Sequence, residues 1–151
     1  MSNTPLFRTL IADDMLSVDR VIRSRLHSDV VLIRQVAEYI ISAGGKRFRP
    51  LLVILASSLG TPRSAEDLTR AALVMELTHV ASLYHDDVMD EADLRRGAES
   101  ANQRYDNSIA IMIGDFLFAR ASSIVATLGV DYVALQADTF ARLVQGQIAE
   151  T

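Results

Sequence analysis

The sequence has no cysteine and no tryptophan, and aromatic side chains make up only 6% of its 151 residues. Without cysteine, neither a disulfide framework nor a thiolate metal site can form, so any metal ion must be bound by oxygen or imidazole ligands. Hydrophobic residues make up 50% of the chain. With so few aromatics, this favours aliphatic packing between helices over a β-sandwich. We expect one helical domain and a cytoplasmic location.

An excess of basic charge is also missing, since the formal net charge is -4. This argues against a nucleic-acid partner, because nucleic-acid-binding domains usually carry a basic face. The first ten residues contain no apolar run of the kind found in secretory signals, so we expect the mature protein to begin here. The apolar segment from Ile109 to Val130 contains Asp115 and Arg120. Charges are costly in lipid, so the segment is predicted to be a buried helix.

Apolar residues recur at helical spacing along most of the chain, and we find no strand pattern. A glycine pair at Gly44 and Gly45 separates the second helix from the third. The predicted helices cover about 16–26, 31–41, 50–60 and 65–90, then from 101 or 108 to 128, and from 131 to the end.

The fourth predicted helix ends in an unusually dense group of acids. Asp86 and Asp90 lie four residues apart and so share one helix face, with Asp87 beside them. The acids repel one another at a helix end where the dipole already disfavours negative charge. An arbitrary acidic run is usually a solvated helix end. Here the preceding segment, Ala71 to Tyr84, is strongly apolar, which favours a Mg²⁺ site facing a cavity.

Basic residues flank this acidic group in the sequence. Lys46, Arg47 and Arg49 follow the glycine pair just before the third helix, where a helix N-terminus favours phosphate. Arg95 and Arg96 follow the acids. Either group alone is a weak signal, because basic turns are common and usually solvated. Together with the acids they indicate a site for a polyanionic substrate and a divalent metal.

Four motifs in this order resemble the first half of the trans-polyprenyl diphosphate synthase family. They are Gly44–Pro50 (GGKRFRP), Glu76–Asp90 (ELTHVASLYHDDVMD), Arg95–Gly97 (RRG) and Gly114–Leu117 (GDFL). The resemblance implies an all-α antiparallel helical bundle of the isoprenoid synthase type, truncated to about six helices. Residues 1–151 would be the N-terminal portion of a single domain whose C-terminal half, with the second aspartate-rich motif, is absent.

The resemblance also implies an activity: condensation of isopentenyl diphosphate with an allylic diphosphate to give a long-chain polyprenyl diphosphate, with Mg²⁺ as cofactor. Asp86 and Asp90 match the family's metal ligands, with Asp87 in support, and Arg95 matches the contact to the allylic diphosphate. These four are the expected catalytic residues. The residues expected to bind substrate are Lys46, Arg49, His79, Arg95, Arg96 and Gln147, with Glu150 beside Gln147 as a later active-site pair.

Two small residues on the fourth helix bear on product length. Ala81 and Ser82 lie about one turn before Asp86, where a prenyl tail would first pass. Short-chain members of the family tend to carry aromatics there, so the sequence resembles the long-chain type. Ordinary close packing between helices is the alternative explanation for small residues at these positions.

The sequence also departs from the family pattern. Glu99 and Asp106 stand where related sequences often have proline and glycine, which bears on the conformation of the loop. Without the second aspartate-rich motif, we expect this chain alone to be weakly active or inactive. It would be a fragment or one piece of a split enzyme whose partner is a complementary C-terminal half. The resemblance further implies a homodimer through residues 101–130 and peripheral membrane contact for product release.

Two other functions fit parts of the pattern. A non-catalytic helical subunit of a prenyl synthase would have the same fold, but it has no need to retain mutually repelling acids. A metal-dependent phosphohydrolase built on His85 and Asp86 would require a further histidine ligand, and the chain offers only His27 and His79. Incorporation of labelled isopentenyl diphosphate into product distinguishes a prenyltransferase from a non-catalytic subunit. Release of phosphate from a nucleotide would indicate a phosphohydrolase.

Overall fold

A computed structural model describes the backbone of residues 4–150 and the side chains from Ala12 to Glu150. The predicted all-α class is confirmed, since seven helices make up most of this part of the chain. The elements are α1 (Thr4–Arg25), α2 (Val31–Ser42), α3 (Phe48–Ser57), α4 (Ala65–Met89), β1 (Leu94–Arg95), β2 (Ala98–Glu99), α5 (Ala101–Tyr105), α6 (Asn107–Val125) and α7 (Val130–Glu150).

Helix α4 is the centre of the fold, and it packs most extensively against α6, with α3 and α1 on its other sides. It begins where the sequence predicts. The Ser64 side chain accepts a hydrogen bond from the Asp67 amide at 3.0 Å, and acids occupy the first turn. Leu73, Leu77 and Val80 are almost completely buried. Each such side chain contributes about 1.5–3 kcal/mol through burial.

The segment after α4 is a short antiparallel hairpin, so the expectation of no strands was wrong. Leu94 pairs with Glu99, and Arg95 with Ala98. Arg96 and Gly97 form the turn with φ of +55° and +80°. Positive φ at both central residues is the signature of a type I′ turn, which matches the strand twist. The Tyr39 hydroxyl donates to the Glu99 carbonyl at 2.8 Å, which attaches the hairpin to α2.

The single predicted helix from Ala101 or Ser108 to Leu128 is two helices, α5 and α6. The break is at Asp106, whose φ of +86° and ψ of 163° are incompatible with a helix. Its side chain accepts a hydrogen bond from the Ile109 amide at 2.9 Å and so caps α6. Glycine adopts this backbone region without strain and other residues rarely do. The backbone at Asp106 therefore has a conformation that favours glycine.

Among the described helices, α6 alone has the length and hydropathy to cross a membrane, with a mean hydropathy of 1.6. One such helix is weak support for a membrane span, because core helices of helical proteins have the same composition. Ile113, Leu117 and Ala121 of α6 are buried in the core. Their burial agrees with the predicted core helix.

Helix α6 lies close to α4 at Gly114, and this contact can be tested by substitution. A Cβ at this position would lie 2.6 Å from Cδ2 of His85 on α4, whereas nothing lies within 4 Å of a Cβ at Gly146. Gly114→Ala should lower the free energy of unfolding by about 1–3 kcal/mol through overpacking. Gly146→Ala, in an open part of α7, should raise it by about 0.5–1 kcal/mol through helix propensity. Urea unfolding measures both, and a stabilised Gly114→Ala would contradict this helix contact.

Candidate active site

A cleft of about 620 Å³ runs along α4, between α3 on one side and α7 on the other. This volume is within the range of small-molecule sites in proteins. One end is polar and contains Arg49, His79 and Asp86, while aliphatic and aromatic side chains form the walls. The side-chain amide of Gln136 on α7 donates to the Thr78 hydroxyl on α4 at 3.2 Å. This bond connects the two helices across the cleft.

The structure brings five of the eleven predicted site residues into this one cleft, and these five are Arg49, His79, Ser82, Asp86 and Gln147. They come from three helices that are distant in the sequence. The remaining six, which do not line the cleft, are Lys46, Ala81, Asp87, Asp90, Arg95 and Arg96. These six lie on the glycine turn, on α4 or in the hairpin.

The three acids at the end of α4 do not point the same way. Asp86 faces the cleft, and Asp90 is exposed at the C-cap one turn later. Asp87 is fully buried on another side of the helix. Among the described side chains, no group of three acids or histidines converges on a common point. The expectation that Asp87 lies beside the other two is therefore corrected, and Asp86 and Asp90 remain as a pair.

Burial raises the pKa of the Asp86 carboxyl above its ordinary value, and the nearby charge of Asp90 raises it further. Arg95 acts in the opposite direction and lowers the same pKa. The two carboxylates thus destabilise each other in the ionised form. A site that keeps such a pair is suited to a cation that neutralises both.

Asp87 forms a buried ion pair with Arg95, whose Nε donates to Asp87 Oδ1 at 2.6 Å. A second nitrogen of the same guanidinium, Nη2, contacts the same oxygen. Asp87 Oδ2 is buried and has no hydrogen-bond partner among the described residues. Arg95 was expected to contact the allylic diphosphate. In the structure, its guanidinium holds the β1 end of the hairpin on α4.

A network of charges lies around the glycine turn, and it is buried at Arg47 and Glu76. Arg47 Nη1 donates to Glu76 Oε1 at 3.1 Å, and Arg47 Nε donates to Asp19 Oδ1 at 2.9 Å. Arg96 Nη1 donates to the Ile40 carbonyl at 3.4 Å. A Cβ at Gly45 would lie 2.8 Å from Arg96 Nη1 and 2.9 Å from Arg47 Nη1, and the backbone φ is +153°, so a side chain there would be strained and would displace the two guanidinium groups.

One sequence signal could have revealed this network. Glu76 lies inside an apolar helix and is 2% exposed. Buried acids are nearly always paired, which predicts a basic partner. Arg47, with φ of +47°, is that partner, and it precedes the first turn of α3. The pair holds the start of α3, and hence Arg49, against α4.

His79 has the most strongly displaced pKa among the groups of the cleft. Burial, together with the positive charges of Arg49, Arg96 and Arg95, lowers the pKa of this imidazole from 6.5 to about 4. The ring is therefore neutral at pH 7, and its environment is strongly cationic. Such surroundings favour an anion next to His79.

The His79 environment leads to a pH prediction. The unfolded chain binds a proton on this ring near pH 6.5 and the folded chain only near pH 4, so stability is lost as the pH falls from 6.5 to 4. Adding inorganic diphosphate should raise the His79 pKa, because the anion offsets the arginines. NMR of the imidazole protons, assigned with His79→Gln, measures this directly. A midpoint near 6.5 that diphosphate leaves unchanged would contradict the geometry.

The two predicted chain-length residues occupy different positions. Ser82 lines the cleft, and its hydroxyl donates to the His79 carbonyl at 2.9 Å. Ala81 is fully buried in the core and does not reach the cleft. Close helix packing thus accounts for the small side chain of Ala81. Of the two residues, only Ser82 lines the cleft.

His85 faces α6 and is turned away from the cleft. Its Nε2 lies 3.1 Å from the Ile111 carbonyl and 3.4 Å from Asp115 Oδ1. The neighbouring Asp86 lines the cleft. The two residues therefore do not form a joint metal site, and the phosphohydrolase interpretation has no support in the described residues.

Comparison with known proteins adds the family context. The model of the Polyprenyl synthetase family matches residues 30–151. The chain is 43% identical over 146 residues to nonaprenyl diphosphate synthase of Mycobacterium tuberculosis, which is 97% of this chain and 44% of that relative. It is 42% identical over 127 residues to octaprenyl diphosphate synthase of Escherichia coli, which is 84% of this chain and 39% of the relative.

The solved structures include a similar polyprenyl synthase from Caulobacter crescentus, complexed with calcium and isoprenyl diphosphate. Its TM-score to this chain is 0.87 at 36% sequence identity, and the match covers 93% of this chain and 43% of that protein. The chain thus spans less than half the length of each of these three relatives.

Proposed function

The chain belongs to the polyprenyl synthetase family, and from that premise we propose that it is the N-terminal portion of a trans-prenyltransferase of the long-chain type. The substrates are isopentenyl diphosphate and an allylic diphosphate. The observation that carries the proposal is the single cleft that places Asp86, Arg49 and His79 at its polar end and apolar side chains along its walls. A prenyl diphosphate has the same division between a charged head and an apolar tail.

We assign the divalent cation to Asp86 and Asp90, and Mg²⁺ is the cation that best suits this donor set. Mg²⁺ binds proteins through one or two carboxylates and completes its shell with water and substrate phosphates. Two carboxylates on one helix face, one at the cleft and one at the rim, fit this requirement. When bound, the ion neutralises charge on the diphosphate leaving group. Asp87 supports the site indirectly, through its buried pair with Arg95.

The basic residues of the site bind and orient the diphosphates. Arg49 lies in the cleft, and Lys46 precedes it by three residues, directly after the glycine pair that Arg47 and Glu76 hold in place. Arg96 lies beside Gly45 at the same end. His79, neutral at pH 7, donates or accepts one hydrogen bond there without adding repulsion. We propose that these side chains hold isopentenyl diphosphate while the allylic head lies towards Asp86.

The reaction is cleavage of the allylic carbon–oxygen bond, attack of the isopentenyl double bond on the allylic carbon, and loss of a proton. The walls of the cleft exclude water from the allylic cation, which would otherwise be hydrolysed. Fixed positive charges near the departing diphosphate stabilise the charge that develops on it. We also propose that the chain acts with a complementary C-terminal half and forms a homodimer. Its proposed location is the cytoplasm, with membrane contact when the product leaves.

The test combines labelled isopentenyl diphosphate, farnesyl diphosphate and Mg²⁺ with this chain alone, and with a separately produced C-terminal portion of a long-chain polyprenyl synthase. We expect extended labelled products in the mixture and little or none from either part alone. A mixture that forms a complex but makes no product would indicate a non-catalytic subunit. Phosphate release from a nucleotide would favour a phosphohydrolase.

A further inference from the structure

A second cavity of about 330 Å³ continues the cleft beyond its apolar end. Four residues line both spaces: Val53, Ala71, Leu128 and Tyr132. We call these four the neck. The second cavity lies between the C-terminal end of α3, the N-terminal end of α4 and the segment that joins α6 to α7. The two spaces therefore form one path along α4 with the neck between them.

The length of the path can be compared with that of a prenyl tail. Ala71 precedes Asp86 by fifteen residues on α4, which is about 22 Å at a rise of 1.5 Å per residue. A five-carbon prenyl unit contributes four bonds of about 1.5 Å in zigzag, or roughly 5 Å. With its diphosphate at Asp86, a tail of about four units ends at the neck. A longer tail must pass through it.

Ala71 is the smallest side chain of the neck, and it is accessible to the path. It is half-buried, whereas the adjacent Ala72 is fully buried in the core. Core packing therefore does not require a small residue at 71 as it does at 72. Beyond the neck, Arg63 and Asp67 line the second cavity and end its apolar surface. Charged side chains there disfavour further burial of an apolar chain.

The geometry points to Ala71 as a specificity-determining residue: its small side chain keeps the neck open, so that tails longer than about four units extend into the second cavity. This inference rests on the proposed function and adds a determinant of tail length well beyond Ser82. A large side chain at 71 should close the neck and leave the polar end and the first cleft unchanged. Shorter tails would then bind as before, and longer ones would not.

The experiment measures binding of allylic diphosphates with three, four and six prenyl units to this chain with Mg²⁺, by calorimetry below their micelle concentrations. Ala71→Phe and the milder Ala71→Leu are compared with Ala12→Phe, a matched control on an exposed position of α1. In Ala71→Phe, we expect affinity for three units to stay within about twofold and affinity for six units to fall at least tenfold. The affinity falls because at least one prenyl unit is no longer buried in the second cavity. Ala12→Phe should change neither affinity.

Two outcomes would overturn the inference. Equal effects of Ala71→Phe on three and six units would show that the residue does not act at a defined length. An unchanged preference in both Ala71 variants would show that tails do not pass the neck. If the unchanged chain binds none of the three ligands, the proposed function fails and the inference fails with it. Binding of all three without length discrimination by the variants overturns the inference alone.

Discussion

Asp86→Asn should weaken Mg²⁺-dependent binding of diphosphate by more than the roughly 10–100-fold that loss of an outer-shell partner costs at a metal site. Asparagine keeps the shape of the side chain and removes its charge. The polar end of the cleft then retains its arginines but loses the carboxylate that faces them. Calorimetric titration of inorganic diphosphate, with and without Mg²⁺, measures the loss.

The same substitution should not destabilise the fold in the absence of metal. The pKa of Asp86 is raised by burial and by Asp90, so ionising this side chain costs more free energy in the folded protein than in the unfolded chain. Removing the charge should leave the free energy of unfolding unchanged or raise it. Weaker binding together with undiminished stability distinguishes a ligand site from a structural residue. Asp138→Asn, an exposed acid on α7, is the control, and equal binding losses in both variants would contradict the assignment.

The second large effect concerns stability and lies at the buried pair of Asp87 and Arg95. Replacing Asp87 with alanine leaves the Arg95 guanidinium without its carboxylate, next to the core. Removing one partner of a buried pair typically costs about 3–5 kcal/mol. For a chain of this length, the melting temperature should then fall by roughly 6–20 °C. Thermal unfolding followed by circular dichroism measures this shift.

A double replacement separates charge from packing. Asp87→Leu with Arg95→Met removes both charges and keeps most of the volume, so it should be far less destabilising than either single change. Because the Arg95 pair also holds the hairpin, the single variants should loosen Arg96 and weaken diphosphate binding, and the double variant should do so as well. A direct ion pair would be contradicted if the loss of unfolding free energy in the double variant equalled the sum of the losses in the two single variants.

The local parts of this account follow from sequence spacing. A separation of four residues places Asp86 and Asp90 on one face of any helix, and seven residues bring His79 to the same side. The cap at Ser64 and the apolar run that follows it defined the start of α4 correctly. These features depend on helix geometry alone, so neighbouring elements do not change them.

Features that depend on neighbouring elements were harder to predict. Helix α4 is apolar on most sides, so its sequence does not reveal that Ser82 faces α7 while Ala81 faces the core. The burial of Asp87 depends on Arg95, which the hairpin brings back onto α4. That hairpin has a two-residue turn at Arg96 and Gly97, and its strands of two residues each are too short to show an alternating pattern in the sequence. Asp106 carried a usable signal, since an acid three residues before Ile109 is a typical helix N-cap.

The central claim is that a divalent ion and a diphosphate bind together at the C-terminal end of α4. Mn²⁺ in place of Mg²⁺ broadens nearby NMR signals and therefore locates the ion on this chain. With inorganic diphosphate present, we predict the strongest broadening at Asp86 and Asp90, weaker broadening at His79 and Arg49, and little at Asp138. Broadening centred elsewhere, or unchanged when both Asp86 and Asp90 are replaced by asparagine, would contradict the account.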